Sequence, residues 1–133
     1  MGTELYGSCL CGSIRYKVED RFSMFFMCHC TQCRKLSGSS NAANLFGSPD
    51  SLTWLSGADQ TTRYQMDGRA FTKVFCTHCG TAMPYVSGNG KFVVVPAGSL
   101  DDEPTKTPDA RIYCSEQAKW HKRGLMAPER VRI

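Results

Sequence analysis

The sequence predicts a mainly β, single-domain fold stabilised by zinc, and three observations carry that expectation. Short segments rich in β-branched and aromatic residues recur along the chain with turn residues between them. Asp67-Gly68 and Asn89-Gly90 stand between such segments, and these dipeptides accept the positive φ angles of tight hairpin turns. Seven of the eight cysteines fall into three clusters, Cys9-x-Cys11, Cys28-x-Cys30-x-x-Cys33 and Cys76-x-x-Cys79. With 133 residues, 41% of them hydrophobic, the chain holds enough apolar surface for one core and not for two.

Taken in order, the pattern predicts strands over Ser13 to Val18, Ser23 to Met27, Leu52 to Leu55, Thr61 to Gln65, Ala70 to Phe75, Phe92 to Val95 and Arg111 to Tyr113. Hairpins are expected at Asp67-Gly68, and at Asn89-Gly90 between Tyr85-Val86 and Phe92. Two short helices are expected, Thr31 to Ser37 and Ser115 to Lys122. Pro104, Thr107 and Pro108 mark an irregular connection before the last strand, too short to separate domains.

The cysteine spacing divides into two pairs and a triplet. The pairs Cys9/Cys11 and Cys76/Cys79 together complete a tetrahedral four-sulfur zinc site. Each pair is followed by a glycine, Gly12 or Gly80, as a tight metal knuckle requires. Joining the pairs closes a loop of more than sixty residues, so the metal substitutes for core that a small β domain lacks. Cys28, Cys30 and Cys33 alone offer three ligands to a second zinc and leave one position free. Closed sites are typically structural and open ones catalytic. An exogenous thiol fits the free position, and Arg34, beside the last ligand, is a candidate to dock a substrate carboxylate. Lys35 is expected to face solvent.

A competing partition joins Cys30/Cys33 with Cys76/Cys79 as a two-knuckle ribbon and leaves Cys9, Cys11 and Cys28 to other roles; spacing alone leaves both open. Cys114 stands by itself at a strand end, as a small buried hydrophobe or as a fourth ligand to the triplet. His29 and His78 lie inside cysteine clusters, but neighbours on extended backbone point opposite ways, so both are expected to face away from metal.

The formal charge of +4 invites a nucleic-acid reading. Seven thiolates offset by two Zn²⁺ ions remove most of that charge, because ligand thiols lose their protons on coordination. The basic residues near the C-terminus, Lys119, Lys122, Arg123, Arg130 and Arg132, read as a solvated segment, since a charge cluster needs a groove and stacking groups with it to argue for nucleic acid. Neither a secretory start nor an apolar run long enough for a bilayer is visible. A cytoplasmic protein with no membrane contact is therefore expected, its cysteines reduced and bound to metal rather than disulfide-bonded.

The motifs Gly7-Ser8-Cys9-Leu10-Cys11-Gly12, Cys28-His29-Cys30-Thr31-Gln32-Cys33-Arg34-Lys35 with Ser37-Gly38, Phe75-Cys76-Thr77-His78-Cys79-Gly80, and Gly98-Ser99-Leu100-Asp101-Asp102 resemble the glutathione-dependent formaldehyde-activating enzyme family, which also includes centromere protein V. The likeness runs from about Tyr6 to Trp120. It implies one domain over residues 1–133, with a core of about 6–120 and a basic segment of 121–133, folded as an antiparallel β-sandwich-like structure with short helices. It assigns Cys9, Cys11, Cys76 and Cys79 to a structural zinc, and Cys28, Cys30 and Cys33 to a second zinc implicated in glutathione binding. The implied activity is that of a carbon–sulfur lyase or S-(hydroxymethyl)glutathione synthase, with small thiol and aldehyde substrates. Two other classes compete with it: a carrier that binds glutathione without turnover, and a zinc-shaped interaction module. An exchangeable fourth ligand on the second metal favours the thiol readings; a fourth protein sulfur favours the module. Cys114 and the segment from His121 to Ile133 match no motif of the family.

Overall fold

The computed structural model describes residues 3–133. In chain order the elements are β1 (Glu4–Ser8), β2 (Arg15–Glu19), β3 (Phe22–Cys28), α1 (Thr31–Ser37), β4 (Ala42–Gly47), β5 (Leu52–Ser56), β6 (Thr61–Gln65), β7 (Thr72–Cys76), β8 (Ala82–Met83), β9 (Tyr85–Val86), β10 (Val93–Pro96), β11 (Ala110–Ile112) and α2 (Lys119–Leu125). Alternation sets the faces of the strands. In β2 the side chains of Tyr16 and Val18 are buried while those between them are not, and in β7 Thr72, Val74 and Cys76 point inward.

The strands form three sheets, ordered β1-β2-β5, β11-β3-β4-β10-β9 and β6-β7-β8. Pairing is antiparallel except between β3 and β11, which run parallel. That departure from a wholly antiparallel fold follows from the long connection after β10, which brings the chain back to the free edge of β3. Asp109 fastens the return: its backbone N–H donates to Phe25 O at 2.8 Å, and its carboxylate accepts from Phe25 N at 2.9 Å.

The core is shared by the sheets and consists of Leu5, Ile14, Tyr16, Val18, Phe25, Leu45, Val74, Met83, Val93 and Val95, together with Cys9 and Cys76. Two cysteines of the paired motifs thus lie in the hydrophobic interior itself. Tyr16 is fully buried, with its hydroxyl 2.6 Å from Ser99 Oγ and its ring edge-on to Trp54.

All seven expected strands form, with ends displaced by a residue or two. Gly68 and Gly90 have φ of 70° and 73°, as the two hairpins require. β1, β4 and β8 were not expected. β4 reads Ala-Ala-Asn-Leu-Phe-Gly, a weak strand sequence, yet it is the middle strand of the five-stranded sheet because β3 and β10 hydrogen-bond to it on both sides. The first helix spans the expected residues. The second differs: a 3₁₀ turn at Cys114–Glu116 is followed by extended Gln117 and Ala118, and the α-helix starts only at Lys119. It therefore crosses position 120, where the resemblance ended the core. Among the described residues no helix is long and apolar enough to cross a membrane.

Candidate metal centres and adjoining cavity

Two separate sulfur groups emerge, Cys9/Cys11/Cys76/Cys79 and Cys28/Cys30/Cys33, with the Sγ atoms of each within 4.8 Å of one another. The partition into two pairs and a triplet is the one the fold adopts. The ribbon alternative fails because Cys30 and Cys33 share no group with Cys76 and Cys79.

The four-sulfur group joins two turns of the same shape. Gly12 N–H donates to Cys9 O at 3.0 Å and Gly80 N–H to Cys76 O at 2.8 Å. Both glycines sit in the left-handed region, with φ of 81° and 78°. A Cβ would meet no neighbour at either, so backbone conformation, not space, selects glycine there. Cys9 and Cys11 Sγ lie 3.6 Å apart, and Cys11 and Cys76 Sγ 3.8 Å. Four thiolates at about 2.3 Å from a tetrahedral ion are separated by about 3.8 Å, close to these two separations, and all four Sγ atoms lie within 4.8 Å of one another, so the donor set suits such an ion. Surrounding dipoles favour the thiolates of Cys9 and Cys79. Burial opposes the charge on Cys9, but the Ile14 N–H, 3.3 Å from its sulfur, and nearby hydroxyl and thiol groups outweigh it, and the thiol is net more acidic than usual. The Thr81 hydroxyl, 3.2 Å from Cys79 Sγ, leads the effects that bring Cys79 down to about 5.

The three-sulfur group is built where β3 ends and α1 begins. Cys28 closes the strand and Cys33 lies in the helix's first turn. Cys30 is the N-cap, its Sγ accepting from Cys33 N–H at 3.3 Å, so one sulfur both starts the helix and faces its two partners. Gly38, at φ 64°, ends the helix by donating to Arg34 O. Burial first, and then the neighbouring thiols, raise the pKa of Cys33; burial likewise raises that of Cys28. Three thiolates so close need a cation among them, and this donor set is suited to one.

No fourth protein ligand joins this group among the described residues. Cys114 Sγ instead donates to Arg111 O at 3.4 Å. His78 is exposed. His29 is fully buried and packs edge-on against His121, ring centroids 4.6 Å apart. Both of its ring nitrogens, His121 Nε2 and Gln117 Oε1 lack hydrogen-bond partners among the described residues. Burial, then His121, lowers the pKa of His29. Arg34 does not turn toward the sulfurs: its Nη1 donates to Glu116 O at 2.9 Å, tying α1 to the Cys114–Glu116 turn. Lys35 is exposed on the helix surface, as expected.

Beside the triplet opens a cavity of about 560 Å³ with Cys33 in its wall. β4 contributes Ala42, Ala43 and Asn44, and β7 contributes Thr72 to Val74. Tyr85 of β9 also faces it; burial, then the charge of nearby Cys33, raises its pKa, so the hydroxyl keeps its proton at neutral pH. Sequence reasoning found neither Tyr85 nor the other walls, because nothing local distinguishes them from ordinary strand residues.

With both sulfur groups in place, comparison with known proteins becomes decisive. The sequence pattern of the glutathione-dependent formaldehyde-activating enzyme family matches residues 4–116, a span that includes all seven clustered cysteines. The chain belongs to this family. A protein of Halomonas elongata, provisionally named glutathione-dependent formaldehyde-activating enzyme, is 32% identical over 115 residues, covering 82% of this chain and 73% of that protein. A crystal structure of a Rhodobacter sphaeroides protein shares the fold at a TM-score of 0.62, covering 78% of this chain and 98% of its own, with 24% identity. The family match ends at residue 116, so His121, which packs on His29, lies beyond the matched span.

Proposed function

We propose that this protein is a two-zinc, cytoplasmic enzyme that makes or breaks thiol–aldehyde adducts, in the manner of a carbon–sulfur lyase or S-(hydroxymethyl)glutathione synthase. The observation that carries the reading is the triplet: three sulfurs gathered without a fourth protein ligand among the described residues, one of them in the wall of a cavity. Cys9, Cys11, Cys76 and Cys79 would hold a structural zinc, and Cys28, Cys30 and Cys33 a second. When bound in an open three-thiolate site, zinc can hold an external thiol as its thiolate or polarise a carbonyl.

In the reaction, a thiol sulfur bonds to the aldehyde carbon while the carbonyl π bond opens, and the proton released by the thiol ends on the former carbonyl oxygen. The reverse step breaks the carbon–sulfur bond and returns that proton. The chain contributes placement and a proton-bearing group. The Tyr85 hydroxyl makes no side-chain hydrogen bond with the described residues, and as a neutral phenol in the cavity wall it can donate to the substrate oxygen. Strands β4 and β7 wall the space beside the reacting carbon. Arg34, committed to Glu116 O, receives no substrate role.

Titration calorimetry on the zinc-loaded protein tests the proposal. Glutathione should bind more tightly than S-methylglutathione, which cannot offer a thiolate, and its binding should weaken as pH falls and protons compete for sulfur. Equal affinity for the two ligands, or no binding at millimolar concentration, would replace the thiol reading with an interaction module. Exchange spectroscopy on a glutathione–formaldehyde mixture separates an enzyme from a carrier, since only an enzyme accelerates adduct exchange.

A further inference from the structure

Resting on that reading of the triplet, we infer that the adduct handled here carries an apolar substituent of several carbons beside its sulfur, and that the cavity bordered by Cys33 is the subsite for that substituent.

Size supplies the first argument. The cavity measures about 560 Å³, whereas a one-carbon aldehyde needs on the order of the space of one water, roughly 30 Å³. A site shaped for formaldehyde alone would leave most of this volume to water beside the reacting carbon.

The lining supplies the second. Leu36, Ala43, Phe71, Val74, Met83 and Pro96 bring apolar surface to the cavity from different parts of the chain. Apart from Cys33 and Tyr85, Lys73 is the sole ionisable residue in the lining. Its Nζ donates to Leu36 O at 2.6 Å and lies 5.8 Å from the centroid of the Phe75 ring. Among the described residues the lining includes no arginine and no carboxylate. Glutathione carries two carboxylates and an ammonium, and the lining offers them a single counter-charge, Lys73. A tripeptide thiol would have to leave most of its charge at the mouth and send its sulfur and the attached carbon inward.

Position supplies the third. Because Cys33 belongs both to the sulfur triplet and to the cavity wall, a group bonded to a sulfur held at the triplet projects into this space. Burial of alkyl carbon there is favourable, whereas burial of an unpaired charge is not. The apolar chain can come from the aldehyde or from the thiol, since both carbons are attached to the same sulfur.

Calorimetry of the zinc-loaded protein with S-methyl-, S-butyl- and S-hexylglutathione reads the subsite directly, without turnover. Burial of each methylene should tighten binding by a factor of roughly two to four, so the hexyl ligand should exceed the methyl ligand by about thirtyfold or more. Ala82→Leu, which adds bulk to the lining, should flatten this gradient; Ala43→Leu serves the same purpose if the first variant does not fold. A flat series from methyl to hexyl overturns the inference, as does a gradient unchanged in a folded, narrowed variant. The parent reading fails separately, when glutathione shows no advantage over S-methylglutathione. Adduct exchange measured with hexanal plus glutathione, and with formaldehyde plus hexanethiol, then assigns the apolar chain to the aldehyde or to the thiol.

Discussion

Cys79→Ser and Cys33→Ser form a matched pair, because both cysteines are partly exposed and neither substitution opens a cavity in the core. Each should remove one zinc per chain. The consequences for the fold should differ because of the chain that each metal ties together. Cys11 and Cys76, within the four-sulfur group, are 65 positions apart, whereas the triplet spans only Cys28 to Cys33. Treating each metal as a cross-link on the unfolded chain, loop-closure entropy contributes about 4 kcal/mol for the long loop and about 2 kcal/mol for the short one. The difference, about 2 kcal/mol, is also what the logarithmic dependence on loop length alone yields. For 133 residues, an unfolding entropy of about 2.1 cal/mol/K per residue converts it to a Tm about 7 °C lower for Cys79→Ser than for Cys33→Ser. Elemental analysis and thermal unfolding by circular dichroism on the same samples provide the assay. Cys33→Ser should stay folded with about one zinc remaining. If it melts as low as Cys79→Ser, with the same zinc loss, the triplet is part of the fold's framework and the division into structural and functional metals is wrong.

Four further outcomes are expected. Burial raises the Tyr16 hydroxyl to about 12, so the folded state favours the neutral phenol. This stabilisation, about 2.7 kcal/mol for a two-unit shift, is fully present below the unfolded pKa near 10 and is lost as pH rises toward 12. Stability measured against Tyr16→Phe should therefore decline over that window, and a constant difference would refute the assignment. Gly7→Ala should destabilise by about 3 kcal/mol or more in urea unfolding, because the added Cβ would overlap the buried Tyr16 ring; a loss under about 1 kcal/mol would mean that the ring yields. Tyr85→Phe should leave Tm within about 2 °C of wild type and slow adduct exchange by about tenfold to a hundredfold, with no change in rate counting against a donor role. Arg34→Ala should lower stability by about 1 kcal/mol through loss of the Glu116 contact, and should leave glutathione affinity within twofold in calorimetry; a tenfold weaker ligand would restore the carboxylate-docking role expected from sequence.

Much of this protein is legible one residue at a time. Richness in β-branched and aromatic residues between turn residues identified the seven segments that became strands, because such side chains fit a pleated, half-buried surface. Asp67-Gly68 and Asn89-Gly90 marked their hairpins, and Gly12 and Gly80 their knuckles, because a positive φ is a local demand that glycine meets. The cysteine triplet was readable for the same reason: its ligands lie within one turn of chain, and Cys30 serves as both N-cap and sulfur donor. Non-local matters had to wait for the tertiary structure. β4 has a poor strand sequence and forms because β3 and β10 offer hydrogen bonds on both sides. Whether Cys30 and Cys33 would meet Cys76 and Cys79 depended on sheet packing, since thiols with equally good local spacing have no preference between partners far along the chain. Arg34 adjoins a ligand in sequence, but the helix turns its guanidinium to Glu116 O. The cavity, drawn from β4, β7 and β9 around Cys33, exists only once separate strands are assembled, because its lining is a property of the space between them and not of any one segment.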